Sequence, residues 1–336
     1  MTSSFDPAPA SAHPQGRAVR IGRVVNNRKL RRAQHINALI ASLAGVAGVV
    51  GAFVLAITVK PVSWFDVAVF LLFFCLVGLG VTLGFHRHFT HHAFKAGNGV
   101  RTALAILGCA AGQGPLVFWV SLHRLHHEFA DHEGDPHSPN LSGSSLPQRL
   151  RGLLYAYIGW TVMHDVPNAN YYARDLLKDR EMMTVNRYYY LWVVLGLILP
   201  AAIVGTATAS WIGALEGLLW GGLVRMFAFH NAIWWITCFA HSFGKRDFET
   251  RDLSRNISWI AVPTLGESWH NNHHGFPSAA DLRFEWWQID ITGSAAVLLE
   301  KLGLAWNLYR PPLAARNARR IGVVGKARPP QQERTE

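Results

Sequence analysis

Charge is what this chain has least of. Only 16% of its 336 residues are Asp, Glu, Lys or Arg, against roughly 25% in a soluble domain, so an ordinary water-soluble globule is excluded as the first reading. Cysteine is scarce as well. Cys75, Cys109 and Cys238 are odd in number and form no C-x-x-C pair, which excludes a disulfide framework, a zinc knuckle and an iron–sulfur cluster. No nucleotide-binding fingerprint is present. No short apolar core with a cleavage site follows a basic start, so no signal peptide is expected.

The net charge is +11, yet the basic residues crowd into the two ends. Arg17, Arg20, Arg23, Arg28, Lys29, Arg31 and Arg32 precede the first apolar run, and Arg310, Arg316, Arg319, Arg320, Lys326 and Arg328 follow the last predicted helix. Basic flanks beside apolar runs mark cytoplasmic orientation and contact with anionic membrane lipid, not nucleic acid. Three regions follow: a disordered basic tail over 1–35, a membrane domain over 36–310 and a second basic tail over 311–336.

Four apolar runs are long enough to cross a bilayer, which takes about 20 residues. Ile36 to Val59 and Trp64 to Phe85 form one hairpin across Lys60-Pro61-Val62-Ser63. Tyr189 to Val204 and Ile212 to Phe239 form a second across an uncharged loop. By the positive-inside rule both termini and the end of the second helix are cytoplasmic. Val100 to Val120 is interrupted by Gly108, Gly112, Gly114 and Pro115, and reads as a helix lying at the interface. Arg225 lies inside the fourth run and must face protein or water. The intervening segments, His123 to Arg187 and Gly244 to Glu285, are polar, and Trp286 to Leu304 reads as a closing helix. The predicted fold is all-α and integral to the membrane: four transmembrane helices in two hairpins, under a cytosolic helical cap.

Against this background stand 17 histidines. His123, His126 and His127 fall at i, i+3 and i+4, so in a helix all three leave one face toward a common point. The same spacing returns at His270, His273 and His274, while His86 and His91 are five apart and His241 ends the fourth apolar run. Hydropathy places all nine on one side of the membrane. That is more nitrogen than one ion can use, and two adjacent ions would use it all. Imidazole suits Zn, Cu, Fe and Ni. Structural zinc and bis-histidine haem would each leave most of these residues idle. Only Glu267-Ser268-Trp269-His270 matches the Glu-x-x-His of soluble di-iron bundles.

The boxes H-x4-H, H-x2-H-H and H-x2-H-H resemble those of the integral-membrane fatty acyl desaturases, most closely the Δ9 stearoyl type. Gly84-Phe85-His86-Arg87, Gly134-Asp135-Pro136-His137, Asn186-Arg187-Tyr188-Tyr189 and Gly266-Glu267-Ser268-Trp269-His270-Asn271-Asn272-His273-His274-Gly275-Phe276-Pro277 carry the resemblance over roughly residues 36 to 308. It implies two non-haem iron ions held by His86, His91, His123, His126, His127, His241, His270, His273 and His274. His88, His92, His132, His137, His164 and His230 fall outside that set. The implied reaction inserts a cis double bond, at Δ9, into a saturated acyl chain. O2 is the co-substrate, and the electrons come from an external ferredoxin or cytochrome b5-like donor with its reductase. A membrane hydroxylase on the same scaffold is the alternative chemistry.

Carboxylates that orient the imidazoles are sought in Asp131, Asp135, Glu267 and Asp281. Gln113, Trp119 and Trp234 match positions lining the bend of the family's substrate tunnel, but the Thr that partners the first is Ile233 here. Thr237 stands where animal members carry an Asn that reaches one iron through water. Gly114, Ser121, His164 and Asp165 stand where those enzymes hold the CoA head, with much less positive charge. An acyl group on a glycerolipid or on acyl carrier protein therefore competes with acyl-CoA.

Overall fold

The computed structural model describes residues 22–322. Four helices are long and apolar enough to span a membrane: Arg28–Thr58, Trp64–Thr90, Tyr189–Thr208 and Trp211–Phe239. The first, α1 (Arg28–Thr58), begins eight residues before the apolar run, inside the segment expected to be disordered. The Asn27 side chain accepts from the N–H of Lys29 and Leu30, which satisfies two of the exposed donors at that terminus. Just upstream, β1 (Val24–Val25) pairs with a strand at Val166–Pro167. Residues 1–21 and 323–336 of the expected tails lie outside the described residues.

The second span opens as α2 (Trp64–Leu79). Its one acid, Asp66, closes a capping box with Ser63 and so sits at the helix start. From Gly80 to Thr90 the winding loosens to a π-helix, and every residue of that stretch is buried. The expected interfacial helix is two helices, α3 (Asn98–Ala110) and α4 (Leu116–Phe129). Gly112 and Gly114 between them take φ of +81° and +111°, which a side chain rarely adopts, and Pro115 brings no N–H to continue α3.

The third span, α5 (Tyr189–Thr208), contains Pro200. The fourth passes from Trp211–Glu216 through a π-helical Gly217–Val224 into α6 (Arg225–Phe239). α1 packs a small-residue stripe against this span. A Cβ on Gly48 would come within 2.2 Å of the Leu223 Cβ, so the two backbones meet as closely as small residues allow. At the loop end Lys60 pairs with Glu216 at 2.8 Å, tying one hairpin to the other. The outward faces of α1 and α5, including Ile40, Phe53, Ile57 and Ile198, are exposed and apolar, as lipid contact requires.

The cap lies over the ends of the spans that carry the histidines. It holds α7 (His270–Gly275), α8 (Ile291–Lys301), which is shorter than the predicted Trp286–Leu304, and α9 (Leu313–Arg319) inside the second expected tail. Arg87 in the π-segment rivets cap to membrane helix: its guanidinium pairs with Glu267 at 2.9 Å and Asp290 at 2.7 Å, all three buried.

Candidate metal centre

His86 and His91 would point about 140° apart on an α-helix at 100° per residue. The wider π-turn of Gly80–Thr90 turns them toward one another, with ring centroids 5.0 Å apart. α4 supplies His123, His126 and His127, the end of α6 leads to His241, and α7 supplies His270, His273 and His274. α7 is short and would not hold alone. Asn256, Asn271 and Asn272 pin it, with Asn271 accepting from the N–H of Asp247 and Phe248 and Asn272 donating to Leu282.

Nine imidazoles gather, but each H-x2-H-H trio divides instead of meeting at one point. His86, His91, His123, His127 and His273 form one group, and His126, His241, His270 and His274 form another. The cause is angular: on α4, residues 123 and 127 share a row while 126 points toward the next groove. The groups are contiguous, since the rings of His127 and His274 stack at 4.5 Å.

Four Nδ1 atoms donate to buried carboxylates: His86 to Glu267 at 2.7 Å, His126 to Asp135 at 3.0 Å, His241 to Asp131 at 2.7 Å and His274 to Asp252 at 2.7 Å. That bond fixes the tautomer and leaves each Nε2 a bare lone pair. The Nε2 atoms then face one another. His273 lies 3.0 Å from His86 and 2.9 Å from His127, His123 lies 3.1 Å from His127, and His241 lies 2.9 Å from His270. Nε2 of His91, His126 and His274 is buried without a hydrogen-bond partner.

Burial, reinforced by the charge of neighbouring imidazoles, holds His91, His123, His127, His270, His273 and His274 well below the ordinary imidazole range. They are therefore neutral donors. In the four-histidine group three lone pairs and a fourth nitrogen converge, more than any exchange of protons among them can satisfy. A cation at each group resolves the conflict, and the residues fit two metal ions.

Of the four carboxylates sought in the sequence, three meet imidazoles and one does not: Asp281 pairs with Arg283 at 2.7 Å. Asp252, which no motif marks, takes its place beside His274. The His137 ring lies tilted against His126 with centroids 4.2 Å apart, and His137 belongs with His126 and Asp135 to a third close group. Thr237 donates to the Ala156 carbonyl at 2.7 Å. His88 bonds Phe94, His132 bonds Ala130 and His230 bonds Ala111, each through a carbonyl, while His92 lies on the surface beside Asp175.

A largely apolar cavity of about 440 Å³ touches both groups and is lined by Trp119, Gln113, Ile233 and Trp234 and by Leu30, Ala33 and Asn37 of α1. Gly114, Ser121 and His164 line it, and Thr237 reaches its wall. Gln113 accepts from the Trp119 indole at 3.2 Å. Asp165 pairs with Arg31 at 3.2 Å.

Imidazole donors at the ends of a membrane-spanning bundle, beside a largely apolar cavity, define an integral-membrane protein with a metal centre suited to apolar substrates. The fatty acid desaturase family model matches residues 62–294, and the chain belongs to that family. It is 46% identical over 263 residues to a "Hex-5-enoyl-[acyl-carrier protein] acetylenase" of Moorena producens, covering 78% of this chain and 82% of that one. It is 34% identical over 250 residues to an "sn-1 stearoyl-lipid 9-desaturase" of Anabaena variabilis, covering 73% and 85%. A "Delta-9 acyl-lipid desaturase 1" of Arabidopsis thaliana is 32% identical over 262 residues, covering 78% and 80%.

Proposed function

We propose that the nine histidines hold two iron ions, and that this desaturase places a cis double bond at Δ9 of a saturated acyl chain. Two irons so held, supplied with O2 and two electrons, give the oxidising power needed to remove hydrogen from an unactivated methylene. The observation that carries the reading is the division of the imidazoles into groups of five and four at one cavity wall. All-nitrogen donors suit such an oxidant, because thiolates would be oxidised in their place.

The chain's own residues do the positioning. Glu267, Asp135, Asp131 and Asp252 hold four rings with Nε2 turned inward. Trp119, packed against His123 with centroids 5.1 Å apart, shelters the nearest metal group and narrows the cavity beside it. The apolar walls exclude water and hold one C–C bond at the reacting distance.

The electrons come from an external one-electron donor, a ferredoxin or a cytochrome b5-like protein with its reductase; the basic ends of the chain suit an acidic one. The same basic flank before α1, with a loop after it carrying only Lys60, supports cytoplasmic placement of both termini and the metal groups. An acyl chain on a glycerolipid or acyl carrier protein is the favoured substrate form over acyl-CoA. The relatives' names point that way, and Gly114, Ser121, His164 and Asp165 offer little positive charge to a phosphate-rich head.

Expression in a host lacking its own desaturase, with mass spectrometry of lipid-linked, carrier-linked and CoA-linked pools, tests the reading. A new alkene is expected. A new alcohol without an alkene would move the chain to hydroxylation.

A further inference from the structure

Arg225 is fully buried within the fourth span and pairs with no carboxylate among the described residues. A cation so placed costs at least a few kcal/mol in a membrane helix, so its partners matter. Its guanidinium donates to three backbone carbonyls: Gly221 at 3.1 Å, Ala110 at 3.2 Å and Gly196 at 2.9 Å.

Two of these carbonyls have lost their usual helical partner, for reasons written in the sequence. The partner of Gly196 would be the N–H of residue 200, which is Pro200 and has none. The partner of Ala110 would be the N–H of Gly114, which instead donates to the Tyr189 hydroxyl at 3.0 Å. The next carbonyl, Ala111, would look to residue 115, which is Pro115, and His230 Nε2 donates to it at 2.9 Å. Gly221, the third, lies in the π-helical stretch, where the ladder is already loosened. Arg225 and His230 thus complete the hydrogen bonding that two prolines and a glycine turn break.

What they complete is the end of α3, the two residues before Gly112-Gln113-Gly114. That turn, His230 and Trp119 line the same cavity, which reaches His86, His123, His126 and His270. Gln113 accepts from the Trp119 indole but its own Nε2 is buried without a partner, so this stretch of cavity wall depends on bonds to its backbone carbonyls. We propose that Arg225 and His230 are positioning residues for the Gly112-Gln113-Gly114 wall of the cavity and thereby determine which C–C bond lies beside the metal groups. Neither touches the reacting atoms. The proposal rests on the desaturase reading above.

The test is the double-bond position in products of the full-length protein, expressed in the desaturase-deficient host, with iron content measured on the purified variants. Wild-type protein should give one predominant isomer. Arg225→Met and His230→Leu should raise the neighbouring positional isomers about tenfold, because displacements of about 1 Å alter relative rates by up to about 10²-fold. His230→Gln, which keeps a donor, should restore the wild-type pattern. If Arg225→Met does not accumulate, His230→Leu set against His230→Gln decides, since both alter the cavity wall and only the first loses the donor to the Ala111 carbonyl. Iron-loaded variants with the wild-type isomer ratio, differing only in total yield, would overturn the proposal. Absence of any unsaturation from the wild-type chain would instead overturn the desaturase reading, and this inference with it.

Discussion

The Nε2 atoms of His127 and His273 lie 2.9 Å apart although 146 residues separate them. Two neutral imidazoles do not approach head-on within a buried cluster unless a proton or a cation lies between them. Around this pair sit His86 and His123, at 3.0 Å and 3.1 Å from one or the other, so a single shared proton leaves nitrogens unmatched.

Metal removal should therefore destabilise the fold. For an ion held at a thousand times its Kd the linkage is about 4 kcal/mol. Chelated protein is expected to melt well below the iron-loaded form in detergent, with zinc restoring stability but not turnover. Equal melting temperatures with and without metal would sink the assignment.

The two groups are unequal, which separates their ligand variants. His123→Ala removes one of five imidazoles and His270→Ala one of four. Both should abolish desaturation while the protein still inserts, and His270→Ala should lose more iron. Iron-to-protein ratios by atomic emission measure this; full activity in both variants contradicts the grouping.

Asp252→Asn replaces the carboxylate that holds His274 Nδ1–H at 2.7 Å. Loss of such a partner costs about 10- to 100-fold in metal affinity or activity. Asp281→Asn breaks only a pair with Arg283 near the surface and should change stability by about 1 kcal/mol at most. Equal effects of the two substitutions on iron affinity would show that the Asp252 contact is incidental.

His164 supplies a pH dependence outside the metal groups. Burial, partly offset by a bond to the Asp165 carbonyl, lowers its pKa below the ordinary value. The unfolded chain then binds a proton that the folded chain resists, so this contribution is complete above about pH 6.5 and is lost as pH falls below it. Unfolding followed from pH 8 to pH 5 should show a smaller decline in His164→Gln than in wild type. An identical slope would place the dependence elsewhere.

Much of the centre is legible in the order of residues because it is built from short helical repeats. The spacing of His123, His126 and His127 is a helical spacing, and hydropathy alone brings His86, His241 and His270 to one surface. Asp252 is not legible. It stands in a polar loop with no periodicity, and reaches His274 only because the cap folds back over the helix ends. Asp281, an equally plausible carboxylate, is held by Arg283 two residues on. The start of α1 at Arg28 was hidden for a different reason: apolar counting sees the membrane, whereas the helix is begun by the Asn27 cap outside it.

The sequence by itself determined that the chain is a membrane protein, how many times it can cross, and which nine imidazoles are available, because apolar length and helical spacing are local properties. Only the tertiary structure decided how those nine divide, which carboxylates turn them inward, and what receives the Arg225 charge. Those outcomes depend on where unsatisfied atoms from distant segments meet, and no local pattern encodes such a meeting.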